Sequence, residues 1–492
     1  MSILFLITLL LPIIGGAILP LFRFKQEKGR DIYTLVVVIA TAVLMWAQIL
    51  NRTESTFTLM RMTDDLHLTF RIDGMSCVFA GLVSILWPLA SLYGFEYMRH
   101  EERPNTFFTY YTMTFGVTLA IATAANLFTL YVFYECLTII TLPLVLHKKD
   151  AQSIRAGRKY VYYSIGGAAL AFIALIFIQY YGGTTDFTLG GVLSADKIAG
   201  HEGVLRFVFV LAFVGFGTKA ALFPMYAWLP AASVAPTPVT ALLHAVAVVN
   251  AGAFAVMRVI YYSFGVDLLY GTTAQTIVLA LSCFTILFGS SMAVKEQHFK
   301  RRLAYSTISN LSYMLMGAAL MTPAGLVGGL SHLIFHGVMK IGLFYCAGAV
   351  LVRSGKEYVQ DLRGMGRVMP FTFTIFTIGS VAMVGIPPLC GFVSKWNLLT
   401  AASATGLPMG TVAIFTLIVS AILTAIYLFT VVVNAWFRPL NEDSAALAGK
   451  NLDPTWMMKL PLFILICAVV LLGIFSAPLV GWLRDVAAGV IF

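Results

Sequence analysis

Fourteen apolar runs follow one another along this chain, each about the length a helix needs to cross a hydrocarbon core. They cover residues 2–22, 32–50, 74–98, 107–125, 127–146, 160–181, 204–226, 237–264, 272–294, 303–321, 325–352, 370–400, 411–437 and 460–483, here segments 1 to 14. The longest connections, 51–73, 182–203 and 438–459, are too short to fold alone. Inside a bilayer every backbone polar group needs a partner within the protein, so a spanning segment is a helix or part of a closed barrel, and runs of this length fit helices. Composition agrees: 59% of residues are hydrophobic and 11% charged, against about 25% charged in soluble domains. A soluble globular enzyme and a disordered chain are both excluded. The expected architecture is one all-α integral membrane domain over residues 1–492 with about 14 transmembrane helices.

The net charge of +10 would suit a polyanionic partner, but the placement of the charges points elsewhere. Of the Lys and Arg residues, 22 lie in odd-numbered connections and six in or beside even-numbered ones, Arg206 and Arg258 near segment ends being counted with these six. The positive-inside rule then puts the odd connections in the cytoplasm and both termini on the outer side of a multi-pass protein of the cytoplasmic membrane. Nucleic acid would require basic residues clustered with aromatics on one surface, so it is not expected as a partner. The stretch from Met1 to Phe22 has no basic leader and no small-residue cleavage site, and it reads as a retained first span. Six cysteines, at 77, 136, 283, 346, 390 and 467, are scattered with no CxxC. They are predicted to be buried thiols, not zinc, cluster or disulfide ligands.

Two segments are expected to be broken. Segment 7 runs into GFGTKAALFPMYAWLP, where Pro224 and Pro230 remove backbone donors and Gly215 and Gly217 loosen the helix; segment 12 reads GIPPLCGFVSKW, with Pro387, Pro388 and Gly391. Matched Gly/Pro breaks in two halves point to an inverted-repeat transporter. Each break carries one lysine, Lys219 and Lys395, 176 residues apart. That spacing suits two inverted five-helix repeats, segments 4–8 (107–264) and 9–13 (272–438), with peripheral helices in 1–106 and a last helix in 460–492.

Four charges fall deep inside apolar segments: Glu135, Lys219, Lys340 and Lys395. His244, His332 and His336 join them. A central Lys or Asp costs about 2.5–3.5 kcal/mol on insertion scales, so such residues are expected to face the bundle interior with partners. Glu135 is the one acid in mid-span, and a lysine is its natural counter-ion. A lysine whose charge depends on a nearby acid can act as a switchable proton carrier, or the two can form a static pair that ties helices together. His332, His336 and Lys340, spaced four apart, share one helical face over about 12 Å. That stripe is too long for one binding pocket and suits a row of proton-relay stations. No metal is expected, because Leu333 stands where HExxH needs Glu and no third ligand is evident. Asn250 adds a neutral polar group able to order water near His244. GFGTK is not a phosphate loop, since Ala220 follows the lysine, and Asn51-Arg52-Thr53 reads as a chance glycosylation triplet.

These residues carry a resemblance over nearly the whole chain. It rests on FYECLTIITLPL, GTKAALFPMYAWLPAASVAPTPVTALLHA, KRRLAYSTISNLSYM, HLIFHGVMKIGLFYCAGAV with DLRGMGR, and GIPPLCGFVSKW. The chain resembles the antiporter-like membrane subunits of respiratory complex I, Mrp-type cation/proton antiporters and membrane-bound energy-converting hydrogenases. The resemblance implies an ion pair between Glu135 and Lys219, a central relay of His244, His332, His336 and Lys340, and a terminal carrier at Lys395. It further implies a proton-translocating subunit, or a sodium/proton one, driven by other membrane subunits of its assembly. The chain has no nucleotide, flavin, haem or cluster motif, so no cofactor is expected and any redox chemistry belongs to partners: an ion-translocating subunit of a membrane oxidoreductase or antiporter, not itself catalytic. Two rivals stand beside this reading: a stand-alone proton-coupled transporter of a small solute, which broken helices suit, and a structural scaffold.

Overall fold

The computed structural model describes residues 2–22, 24, 26–51, 56–63 and 65–490. Met1, Arg23, Lys25, Arg52 and Thr53, on which the first span, the loop charges and the Asn51 triplet partly rest, lie outside the described residues. All fourteen apolar segments contain helix. Ten helices among the described residues are long and apolar enough to cross a membrane, in segments 1, 2, 3, 5, 6, 8, 9, 11, 13 and 14. Segments 4 (Pro104–Ala122) and 10 (Phe299–Ala319) are full-length helices diluted by Thr, Ser, Tyr, Lys and Arg. Segments 7 and 12 are divided, and their pieces are shorter than a span.

Segment 7 is helical only over Glu202–Gly217, followed by turns and the short helix Trp228–Ala232. The groups freed by the break find protein partners: Trp228 Nε1 donates to Thr218 O at 2.8 Å, and Phe223 N donates to Thr285 Oγ1 at 3.2 Å. This is how non-helical backbone survives inside a membrane protein. Segment 12 divides into Pro370–Val384 and Cys390–Ala404, with Gly385 at φ 91° taking the left-handed corner between them.

Two further breaks were not foreseen. Segment 8 splits into Thr237–Ala245 and Val248–Arg258 immediately after His244. Asn250 Nδ2 donates to Ala245 O at 2.9 Å, so a side chain takes over a carbonyl that the helix ladder gives up. Segment 14 splits at Phe475 into Trp456–Ile474 and Ser476–Ala487. Pro478 lies in the first turn of the second piece, where it cannot supply the bond that a continuous helix would need.

Burial sorts the segments. The apolar windows of segments 8 and 11 are 100% and 94% buried, whereas segment 14 is 28% buried. The central pair therefore forms the axis of the bundle, and His244, His332, His336 and Lys340 ride on it.

The connections gather at two ends. At one, Lys148 reaches Glu101 at 3.9 Å, His298 reaches Glu357 at 3.7 Å, and Asn441 Nδ2 donates to Gln360 O at 3.2 Å. At the other, Arg71 Nη2 donates to Phe187 O at 3.0 Å, Thr188 N to Tyr262 O at 3.1 Å and Tyr270 OH to Thr405 O at 3.3 Å. The connection 51–73 holds a feature that the sequence reading left as loop: Phe57–Arg61 pairs antiparallel with His67–Phe70, with an irregularity between Thr58 and Met60. Aromatic Phe57 faces Phe70 and β-branched Thr58 faces Thr69, residue types that favour the pleated form.

Two expectations need correction. Arg258, counted among loop charges, is a helical residue with no exposure, and Lys300 and Arg302 are buried inside a helix that starts at Phe299. The basic residues near that helix start are held by oxygens: Arg302 Nε donates to Glu296 O at 2.8 Å and Nη1 to Tyr427 O at 3.0 Å. All six cysteines are free thiols, but Cys136 and Cys467 are only half-buried.

Candidate functional site

Glu135 stands on the segment 5 helix Leu127–Val145, and Lys219 on the unwound turn two residues past the end of its half-helix. The break is what aims Lys219 at segment 5. Its Nζ lies 3.8 Å from Glu135 Oε1 and 3.5 Å from the centre of the Tyr134 ring, and it donates to the Tyr134 carbonyl. Tyr134 is held in turn by its hydroxyl, which donates to Phe216 O at 2.6 Å. The ammonium is thus clasped by a carbonyl, a ring face and a carboxylate, all from segment 5. The Lys219 side chain is 1% exposed and that of Glu135 26%, so the acid is the partner nearer the surroundings.

His244 is fully buried, its ring 5.0 Å from that of Phe344, and neither ring nitrogen has a partner among the described residues. It sits at the last full turn before the segment 8 break. Asn250, one turn beyond, spends its amide on closing that break, while its Oδ1 has no partner among the described residues. A buried polar atom without a protein partner is a position for ordered water.

Segment 11 is one continuous helix, Pro323–Ser354, and it carries His332, His336 and Lys340 on one face. The rings of His332 and His336 are 5.9 Å apart, and both nitrogens of His336 lack partners among the described residues. His332 is engaged on both sides: Nδ1 is 2.9 Å from Ser394 Oγ and Nε2 is 3.2 Å from Asn310 Oδ1. Asn310 Nδ2 donates to Ser306 O at 2.7 Å, and Lys340 Nζ donates to Ser306 Oγ. Lys340 and His332 are therefore both fastened to segment 10, Lys340 at the Ser306 hydroxyl, which itself donates to Leu303 O at 3.1 Å, and His332 at Asn310, whose amide holds the Ser306 carbonyl; these contacts bypass His336. Ser394 precedes Lys395. The Lys395 Nζ donates to Met383 O at 2.7 Å and Val384 O at 3.0 Å, the last carbonyls of the first half-helix of segment 12, where a cation is favoured.

The seven residues thus fall into a pair at segments 5 and 7, a histidine at the segment 8 break, His336 without a hydrogen-bond partner among the described residues, and a string of segment 10 and 12 contacts that leads from Lys340 past His332 to Lys395 at the segment 12 break. Ser306, Asn310 and Ser394 were missed by the sequence reading, although Asn310, a polar amide in mid-span, was the visible signal. Among the described residues no three His, Cys, Asp or Glu side chains converge as a metal site would need.

A membrane bundle with broken helices and a buried set of Lys, His and Glu side chains defines the class: a polytopic membrane subunit with a charged interior. The family model for the membrane region of NADH:quinone oxidoreductase and Mrp antiporters matches residues 124–424, which include all seven site residues. The model for the chain 5 N-terminus of complex I matches residues 60–108. The chain belongs to this family. It is 30% identical to a component of a probable K(+)/H(+) antiporter of Rhizobium meliloti, over 95% of this chain and 46% of that protein. It is also 30% identical to NADH-quinone oxidoreductase subunit N of Desulforudis audaxviator, over 82% of this chain and 80% of the relative. Hydrogenase-4 component B of Escherichia coli is 32% identical over 67% of this chain and 50% of its own length. The chain therefore spans about half the length of two of these three relatives. The fold is shared with a chain of an archaeal membrane-bound sulfane sulfur reductase complex, at a TM-score of 0.87 and 20% identity over 100% of this chain and 98% of that one. It is shared also with a chain of the Mrp complex from Dietzia sp., at a TM-score of 0.83 and 20% identity over 99% and 97%.

Proposed function

We propose that this chain is a proton-translocating subunit, or a sodium/proton one, of a larger membrane assembly whose other subunits drive it. The observation that carries the reading is the approach of Glu135 on segment 5 and Lys219 at the break of segment 7 to 3.8 Å, with further buried titratable groups on segments 8, 11 and 12 up to Lys395. The names of the relatives, components of antiporters and of quinone oxidoreductases, support partners of the same kinds here.

In this mechanism a proton from the cytoplasm loads Lys219. A neighbouring subunit disturbs the Glu135–Lys219 pair, and Lys219, having lost its counter-charge in a low-dielectric site, gives up its proton more readily. The proton passes towards His244 and Lys340. The segment 10 string, Ser306 and Asn310, then connects Lys340 with His332 and Ser394 beside Lys395, which releases outward. Chemistry that drives the cycle sits in the partners.

The finer architecture belongs to the same proposal. Fourteen spans, counting the divided segments 7, 8, 12 and 14 as one each, carry two five-helix repeats at 107–264 and 272–438, flanked by 1–106 and 460–492. A five-helix unit ends on the face opposite to its start, so the second repeat is inverted. The basic odd connections, which contact one another at one end of the bundle, face the cytoplasm of a cytoplasmic-membrane protein, and both termini face outward.

The test is formation of a pH gradient by inverted vesicles that carry the native assembly, with Glu135→Gln and Lys219→Ala. Both variants are expected to assemble and to pump at a small fraction of the wild-type rate. Unchanged pumping in both would sink the relay and leave the scaffold reading.

A further inference from the structure

We propose that Lys300 is a second proton intake station that feeds His244 from the basic end of the bundle, independently of the Glu135–Lys219 pair; this rests on the proton-translocation reading above. Lys300 is the second residue of the segment 10 helix and is 6% exposed. Two cations near it behave like ordinary surface charges, Arg301 pairing with Glu296 at 3.1 Å and Lys148 with Glu101 at 3.9 Å, while the buried Arg302 places its guanidinium on the carbonyls of Glu296 and Tyr427. Lys300 has no carboxylate within ion-pair distance among the described residues. Removing a cation from water without a counter-charge costs several kcal/mol, and residues kept under that penalty inside a membrane bundle mark ion paths.

What Lys300 does touch defines a route. Its Nζ donates to Ala235 O at 3.2 Å, in the connection between segments 7 and 8. The same oxygen accepts from Thr240 Oγ1 at 3.0 Å. Thr240 is fully buried and lies four residues before His244 on the helix Thr237–Ala245, so the two share a face. Among the described residues His244 has two ring nitrogens without protein partners, Ser233 Oγ in the same connection has none, and the Lys300 ammonium uses one of its three donors. Thr240 Oγ1 spends its proton on Ala235 O and, at 3.3 Å, on Pro236 O but can still accept, so open polar positions at Lys300, Ser233 and His244 flank it, and such positions are what a chain of ordered water requires. Lys219 takes no part in this row, because its ammonium is spent on Tyr134 and Glu135. A proton taken up by Lys300 would leave its ammonium for water and reach His244, and Lys300 would be reprotonated from the cytoplasm.

The alternative is a fixed charge that anchors the Ala235 connection, and arginine separates the two. Lys300→Arg keeps the charge and a donor for Ala235 O but cannot shed its proton. In inverted vesicles carrying the native assembly we expect Lys300→Arg and Lys300→Met to lower pumping by roughly tenfold or more, with the assembly intact. Wild-type pumping by Lys300→Arg overturns the proposal. Lys219→Ala runs beside them: if that variant pumps normally, the underlying reading fails, whatever Lys300 does. Should both Lys300 variants fail to assemble, Thr240→Val decides, because it removes the hydroxyl and keeps the shape. Reduced pumping supports the route, and normal pumping overturns it.

Discussion

Arg258 Nη1 donates to Asp73 Oδ2 at 2.7 Å and Nη2 donates to Oδ1 at 2.6 Å, a bidentate pair between residues 185 apart in the chain. Asp73 also caps the segment 3 helix through Ser76 N at 2.9 Å, so one carboxylate ties segment 8 to the start of segment 3. Burial by itself raises the Asp73 carboxyl, but the Arg258 guanidinium outweighs it and holds the group below its ordinary 3.8.

Asp73→Asn leaves a fully buried guanidinium without its counter-charge, a loss of about 3–5 kcal/mol. The variant is expected to melt well below the wild type in a thermal unfolding assay of the purified assembly. In the wild type the carboxylate is ionised and its contribution fully present above about pH 4. That contribution is lost as the pH falls through the depressed folded value. Equal melting of variant and wild type at neutral pH would remove the pair from the list of stabilising contacts.

Glu135 and Lys219 are expected to act as one unit. In vesicle pumping, Glu135→Gln and Lys219→Met should each lower the rate about tenfold or more, and the double variant should be little worse than the poorer single one. Losses that multiply would mean that the two residues work at separate steps, and the pair would then be incidental.

Much of the fold was legible because the bilayer allows so few solutions: apolar runs of sufficient length had to be helices, and Pro224, Pro387 and Pro388 announced the breaks in segments 7 and 12. The break at Ala245 was not legible, since no proline marks it; it depends on Asn250 folding its amide back onto a carbonyl, a choice that tertiary packing makes. Arg258 was misplaced for a related reason. Near the end of an apolar run an arginine reads as a loop charge, and only the distant Asp73 makes it a buried one. The lysines and histidines of the site were visible as charges where charge is costly, whereas Ser306 and Ser394 were hidden, because serine inside a helix raises no such signal.

The string between Lys340 and Lys395 predicts a graded response in segment 10. Asn310→Leu removes the bond to His332 and the one to Ser306 O, each worth about 1 kcal/mol, and leaves His332 Nε2 unpaired. Pumping is expected to fall severalfold while assembly, read by native gel, persists. Ser394→Ala, which frees only Nδ1, should fall less. A His336→Leu variant pumping better than Asn310→Leu would favour the segment 10 route over the one along the segment 11 face.

The position of Lys219 depends on a residue that carries no charge at all. Gly252 lies on the helix Val248–Arg258 against the segment 7 turn, and a Cβ added there would meet Ala220 N at 2.5 Å, the Lys219 carbonyl carbon at 2.9 Å and Lys219 Cβ at 3.0 Å. Two of these are backbone atoms and cannot swing aside. The turn itself is constrained, since Ala221 sits at φ 55°, in the left-handed region. Gly252→Ala must therefore push the turn away from segment 8 and carry the Lys219 ammonium off its seat on Tyr134 and Glu135, at an overpacking penalty of about 1–3 kcal/mol. Pumping should drop several-fold with Glu135 and Lys219 both present, and Gly252→Ser should not rescue it. Gly203→Ala, where an added Cβ meets nothing within 4 Å, serves as the control and should pump like the wild type. Normal pumping and melting by Gly252→Ala would mean that the turn has slack, and that the geometry of the pair tolerates displacement of the backbone that carries it.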